Sequence, residues 1–231
     1  MKTIGLLGGM SWESSLEYYR LINQATKAKL GGLHSAKSIM FSVDFEEIEV
    51  LQHQEKWDEL TEIMIEGAKR VERGGADLLV ICTNTMHRMA DAVQSAISIP
   101  LLHIADATAG EILRRRLKTI GLLGTKFTME QDFYRGRLSE KFGLKVLIPG
   151  EVDREIVHKV IYHELCLGKT LDSSRREYIR IINTLVQQGA EGIVLGCTEI
   201  PLLVKQEDVA VPIFDTTAIH ARYAVEVAVS G

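Results

Sequence analysis

Lys2-Thr3-Ile4-Gly5-Leu6-Leu7-Gly8 opens the chain, and the same seven letters return 116 residues later as Lys118-Thr119-Ile120-Gly121-Leu122-Leu123-Gly124. Two further matches follow in the same order. Gly75-Ala76-Asp77-Leu78-Leu79-Val80-Ile81 corresponds to Gly189-Ala190-Glu191-Gly192-Ile193-Val194-Leu195 at an offset of 114, and Ile99-Pro100-Leu101-Leu102 to Val211-Pro212-Ile213-Phe214 at 112. Apolar strands resemble one another in composition. Chance nevertheless does not give a seven-residue identity followed by two collinear matches whose offset drifts by only four residues. Self-similarity of this kind marks a duplicated structural unit. The 231 residues therefore read as two halves of about 115, close to ordinary domain size.

Outward from that stretch, the short apolar runs 3–7, 38–43, 77–81, 100–104, 119–123, 145–148, 192–195 and 212–214 read as strands. Longer segments of helical period separate them, at 12–30, 57–73, 84–97, 130–142, 154–167, 173–188 and 216–229. Strands alternating with helices imply parallel sheets with crossover connections. Strands that are nearly all apolar, rather than alternating, imply helices on both faces. The expected fold is α/β: two pseudo-symmetric three-layer α/β/α halves, each with a parallel four-stranded sheet, and an active site in the cleft between them. Residues 1–97 with 216–231 are expected to form the first half, the C-terminal helix packing back, and 98–215 the second.

Composition excludes several classes of function. Hydrophobic residues make up 46% and charged residues 25%, which is ordinary for a globular chain and rules out a disordered or fibrous one. The net charge is −4 with Lys and Arg scattered, so the basic footprint of a nucleic-acid binder is missing. Three cysteines make no disulfide framework and suit a reducing compartment. The apolar run at 4–7 is too short for a signal peptide, and nothing approaches the roughly 18 apolar residues of a membrane span. A cytoplasmic location without membrane association is expected. The seven histidines show no metal-ligand spacing, and neither a P-loop nor a G-x-G-x-x-G turn occurs. No metal and no cofactor are expected.

In open α/β sheets, ligands lie beyond the carboxyl ends of the strands. Four turns fall there: Gly8-Gly9-Met10-Ser11, Cys82-Thr83-Asn84-Thr85-Met86-His87, Gly124-Thr125-Lys126-Phe127-Thr128 and Gly196-Cys197-Thr198-Glu199-Ile200. The hydroxyls of Ser11, Thr125 and Thr128 at helix starts suit a small anion such as a carboxylate. At the 114 offset Thr83, not Cys82, falls on Cys197. Cys82 and Cys166 read as small core residues. Cys197, at a helix start, is expected to feel the positive end of the dipole and to ionise readily. Two half-chains that each present a proton-handling group suit a near-symmetric reaction such as racemisation. One group removes the α-proton, a second returns a proton to the opposite face, and hydrogen-bond donors hold the carboxylate.

At these residues the chain resembles the aspartate/glutamate racemase family, the cofactor-independent amino-acid racemases. The resemblance is strongest to the enterobacterial branch specific for L-aspartate and L-glutamate or of broad specificity. The matching segments are Ile4-Gly5-Leu6-Leu7-Gly8-Gly9-Met10-Ser11-Trp12, the loop 82–87, Met129-Glu130-Gln131-Asp132-Phe133-Tyr134 and Gly196-Cys197-Thr198-Glu199-Ile200. The resemblance implies a two-base mechanism with a cysteine at each of two strand ends. Cys197 matches the second, and Thr83 stands where the first would be. It also implies that Met10, Ser11, Asn84, Thr85, Thr125, Thr128, Thr198 and Glu199 surround the α-carboxylate and ammonium, with Gln52 at the side-chain end. Aspartate-specific members carry basic residues where this chain has Glu46 and Glu47 and, further on, Cys166. Like charge repels a distal carboxylate, so a neutral substrate side chain, as in homoserine or methionine, is expected. A single-cysteine decarboxylase or cis–trans isomerase is the competing enzyme, and a non-catalytic amino-acid-binding module the competing non-enzyme. The only partners expected are the small-molecule substrate and a second copy in a homodimer.

Overall fold

A computed structural model describes residues 1–230. It divides into one unit of Met1–Ile104 together with the chain from His220 onward, and a second of Ala105–Ile219. In chain order the elements are β1 (Ile4–Gly8), α1 (Trp12–Leu30), β2 (Ser38–Ser42), α2 (Phe45–His53), α3 (Trp57–Arg73), β3 (Leu78–Ile81), α4 (Ala90–Ser95) and β4 (Leu101–Leu102). They continue with α5 (Ile104–Arg114), β5 (Thr119–Gly124), α6 (Lys126–Glu130), β6 (Lys145–Leu147), α7 (Glu151–His163), α8 (Asp172–Gln187), β7 (Ile193–Gly196), α9 (Ile200–Leu203), β8 (Ile213–Asp215) and α10 (Thr216–Ser230). One sheet has the order β2-β1-β3-β4, the other β6-β5-β7-β8, and every pairing is parallel. The duplication seen in the letters is thus a duplication of topology.

The repeated heptapeptide shows why. On β1, Ile4 and Leu6 join Tyr18 and Ile22 of α1 and Ala221, Ala224, Val225 and Ala228 of α10 in one buried cluster. Leu7 turns to the other face, with Leu60, Met64, Ala68 and Val71 of α3. Successive strand residues point to opposite faces, so a strand buried on both sides reads as continuously apolar. The glycine inside the motif lets the facing helix approach. A Cβ on Gly5 would lie 2.3 Å from Val71 Cγ1, and one on Gly121 would lie 2.7 Å from Ile193 Cδ1 and 3.0 Å from Leu185 Cδ1. On α3 the buried positions Leu60, Met64, Gly67, Ala68 and Val71 keep helical spacing, as do Ser174, Tyr178, Ile181, Ile182 and Leu185 on α8.

Several boundaries differ from expectation. Leu101 and Leu102 pair with Leu79 and Val80, so residues 98–104 belong to the first unit, and the units part at 104/105 and 219/220 rather than at 97/98 and 215/216. The repeat itself required this, because 99–102 matches the fourth strand of the second unit. Helices α2 and α5 were not anticipated. In α2 the buried positions are Ile48 and Gln52, and a polar residue on the inner face hides the period. The segment 84–97 begins as a 3-10 turn, Thr85–Met89, before α4. In 130–142 the helical pieces are α6, which ends at Glu130, and a π turn at Arg137–Lys141. Cys166 lies on a separate 3-10 turn, Leu165–Leu167, stopped by left-handed Gly168, and not on α7.

Behind β4, His220 of α10 is fully buried. Its Nε2–H donates to the Leu102 carbonyl at 2.8 Å, and its Nδ1 accepts from the Tyr18 hydroxyl at 2.9 Å. Both partners fix the neutral imidazole, and burial pushes its pKa down to about 4. A depressed histidine pKa contributes stability that is fully present above the unfolded value of about 6.5 and is lost as pH falls toward the folded value. Urea unfolding is therefore expected to weaken between pH 6.5 and 4.5, toward a limiting loss of about 3 kcal/mol from this group. His220→Gln should flatten that slope, and an unchanged slope in the variant would assign the loss elsewhere.

Candidate active site

In the first unit two loops leave adjacent strand ends, because Leu7 of β1 pairs with Ile81 of β3. Beyond β1, Gly9 has φ +95°, and a Cβ there would lie 2.2 Å from the Val43 carbonyl. Only glycine can carry the chain past β2 at this point. The Gly9 N–H donates to Ser15 Oγ at 2.7 Å, and Ser11 caps α1 by accepting from the Ser14 N–H at 3.4 Å. Met10 and Ser11 are buried. Beyond β3, Cys82 is completely buried among the Ile4, Leu6 and Val80 side chains, and burial pushes its thiol far up. Thr83 is half-buried, whereas Asn84, Thr85, Met86 and His87 are buried. Gln52 of α2 reaches this loop, donating from Nε2 to Met86 Sδ at 3.2 Å.

In the second unit Gly124 of β5 pairs with Gly196 of β7, which sets the other two loops side by side. Thr125 caps α6, accepting from the Thr128 N–H at 3.3 Å, and the two hydroxyls are 3.3 Å apart. Two of the expected anion-holding hydroxyls, Ser11 and Thr125, thus already serve as caps. Cys197, Thr198 and Glu199 follow β7 directly. The Cys197 thiol donates to Glu199 Oε2 at 2.9 Å, and the Thr198 hydroxyl donates to the same oxygen at 2.6 Å. Cys197 and Glu199 are buried, and Thr198 is half-buried.

This geometry overturns the expectation of a readily ionised Cys197. Burial raises its pKa well above that of an ordinary cysteine, and the Glu199 carboxylate raises it further. The helix thought to favour a thiolate, α9, has four residues and begins beyond Glu199, so it lacks the aligned peptides of a substantial dipole. The resting group is a neutral thiol with a carboxylate positioned to take its proton.

The register relates the two loops without reference to sequence identity. Leu7 faces Ile81 in one sheet, and its repeat partner Leu123 faces Leu195 in the other. Two residues beyond Ile81 is Thr83, and two beyond Leu195 is Cys197. The structure groups Met10, Ser11, Gln52, Thr83, Asn84 and Thr85 in one unit, and Thr125, Thr128, Cys197, Thr198 and Glu199 in the other. The bond from His87 to the Thr83 carbonyl four residues back was not anticipated from the sequence. The spacing Thr83-x-x-x-His87 was the available signal.

Among the described residues, no group of three or more His, Cys, Asp or Glu could hold a metal ion, and no helix is long and apolar enough to cross a membrane. Comparison with known proteins is concordant. A profile described as Asp/Glu/Hydantoin racemase matches residues 7–224. The solved structure of a candidate Asp/Glu racemase from Yersinia pestis is 55% identical, superposes with a TM-score of 0.93 and is covered over 99% of both chains. An aspartate racemase homologue from Pyrococcus horikoshii OT3 is 38% identical with a TM-score of 0.87, again over 99% of both chains. The broad specificity amino-acid racemase RacX of Bacillus subtilis is 26% identical over 175 residues, 73% of this chain and 72% of that protein. The repeated sheet, the paired strand-end loops and these similarities converge: the chain belongs to the Asp/Glu/hydantoin racemase family of isomerases.

Proposed function

We propose that the protein interconverts L- and D-amino acids by proton transfer at Cα, without a cofactor, using Cys197 on one face and Thr83 on the other. The observation that carries this reading is the shared register position of Thr83 and Cys197, one of them bonded to a carboxylate. Glu199 takes the thiol proton, and the thiolate removes the α-proton of the L-enantiomer. Thr83 then gives its hydroxyl proton to the opposite face and recovers one from water, and the hydroxide so formed takes the proton that Glu199 holds. Asn84, Thr85, Thr125 and Thr128, with the loop at Met10 and Ser11 and the backbone N–H of Thr198, supply donors to the carboxylate on which negative charge develops. We further propose a homodimer in a reducing cytosol, consistent with three free thiols.

The side-chain end is assigned to Gln52, buried against Met86. Glu46 and Glu47 are exposed on the first turn of α2, and no Lys or Arg is among the buried residues described. A distal carboxylate placed here would thus meet no buried cation, and the Glu46 and Glu47 carboxylates would repel it. A chiral screen of L- and D-amino acids is expected to show D-product from L-homoserine and L-methionine. Their kcat/KM should exceed that of L-aspartate by about tenfold or more, a difference of about 1.4 kcal/mol. Preference for aspartate would refute the neutral pocket. Carbon dioxide release without a D-enantiomer would refute racemisation in favour of decarboxylation.

A further inference from the structure

We infer that His87 is the positioning residue for Thr83, holding the hydroxyl-bearing residue where it can deliver a proton to Cα; this rests on the proposed role of Thr83. His87 Nδ1 lies 2.8 Å from the Thr83 carbonyl oxygen, and its Nε2 lies 3.2 Å from the backbone N–H of Ile104. A carbonyl can only accept and a backbone N–H can only donate. The ring is therefore the neutral tautomer with its hydrogen on Nδ1, and one imidazole ties the loop after β3 to the start of α5.

The ring cannot readily turn. It is buried, packs against the His103 ring at a 57° tilt with ring centres 4.6 Å apart, and meets His220 edge-on at 5.7 Å. His220 is itself fixed between Tyr18 and Leu102. A chain of fixed rings thus runs from the back of the first sheet to the peptide that carries Thr83. Thr83 needs such a support more than Cys197 does. Cys197 has Glu199 on its own loop as a partner, whereas the half-buried Thr83 is held through its backbone.

Two substitutions separate positioning from mere packing. In His87→Asn the amide nitrogen falls near the place of Nδ1 and can still donate to Thr83, while the bond from Ile104 is lost. In His87→Gln the amide oxygen falls near the place of Nε2 and can still accept from Ile104, while the bond to Thr83 is lost. The readout compares two rates in deuterium oxide with an L-amino acid that the wild type inverts. One is α-deuterium entry into recovered L-substrate, which needs Cys197 with Glu199; the other is formation of D-product, which needs Thr83 as well. A misplacement of about 1 Å costs on the order of 100-fold. His87→Gln is therefore expected to lower D-product about 10- to 100-fold while changing exchange less than about threefold. His87→Asn should keep the ratio of the two rates within about threefold of wild type. Parallel loss of both rates in His87→Gln, or the same altered ratio in His87→Asn, would overturn the inference. The unaltered protein gives a check independent of variant folding: nitrogen-15 imidazole spectra are expected to show His87 protonated on Nδ1, and an Nε2–H tautomer would overturn the assignment. A wild-type protein that neither exchanges nor inverts any amino acid would instead refute the racemase reading, which sets the two failures apart.

Discussion

Cys197→Ala is expected to lower kcat/KM for racemisation by about 10³-fold and to abolish α-deuterium entry into the L-enantiomer. The size follows from removing a general base whose partner stays in place. Glu199 is two residues away and already hydrogen-bonded to the thiol, but its carboxylate remains on the loop and has no sulfur through which to act on Cα. Cys197→Ser tests the same point at constant shape. The hydroxyl can keep the bond to Glu199, yet it ionises with much more difficulty than a thiol, so a comparable loss is expected. The neutral resting state of Cys197 gives a second measurement. With a raised pKa, the thiolate fraction at pH 7 lies below that of an ordinary cysteine and increases as pH rises through the alkaline range. Alkylation of Cys197 by iodoacetamide is thus expected to be slow at pH 7 and to accelerate with pH, while fully buried Cys82 stays unreactive. Fast alkylation of Cys197 at pH 7 would sink the neutral thiol. Retained racemisation in Cys197→Ala would sink the assignment of the base.

What the sequence made legible, and what it hid, follows from the range of the interactions concerned. The strands and their helix-covered parallel sheets were readable because each strand of a doubly covered sheet must be apolar at every position, and Ile4, Leu6 and Leu7 satisfy that wherever the helices come from. The pairing of Thr83 with Cys197 was readable because the repeat offset carries register. The ionisation of Cys197 was not. A helix start was visible in the letters, but the length of α9 and the direction of the Glu199 side chain were not, and those reverse the sign of the shift. Helix α2 was hidden because Gln52 occupies an inward position where periodicity calls for an apolar residue. The bond from His87 to Thr83 spans four residues, yet the tautomer that gives it meaning is set by Ile104, seventeen residues further on. Local pattern therefore reports burial and topology, while protonation states depend on partners that only the folded chain brings together.

Thr83→Ala should divide the reaction into its halves. With L-substrate, exchange of the α-hydrogen for solvent deuterium is expected to continue within about threefold of wild type, because Cys197 and Glu199 are untouched, while D-product falls by about 10²- to 10³-fold. The asymmetry has a physical origin in the group itself. A threonine hydroxyl donates a proton without first ionising, but to remove an α-proton it must become an alkoxide, and the loop 82–87 holds no carboxylate to match Glu199 beside Cys197. The wild-type enzyme should therefore wash deuterium into the L-enantiomer faster than into the D-enantiomer, and equal rates from both would refute the asymmetric roles. Thr83→Cys carries the argument to its converse. A thiol at this half-buried position pays a smaller desolvation penalty on ionising than the buried Cys197 does, so it can act as base toward the D-enantiomer. Deuterium entry into the D-enantiomer is expected to rise about tenfold or more, and because the two enantiomers are equal in free energy, kcat/KM for inversion should rise equally in both directions. A variant that gains nothing in the D-to-L direction would show that Thr83 is not the proton-transferring group on that face, and that a water or a neighbouring side chain delivers the proton instead.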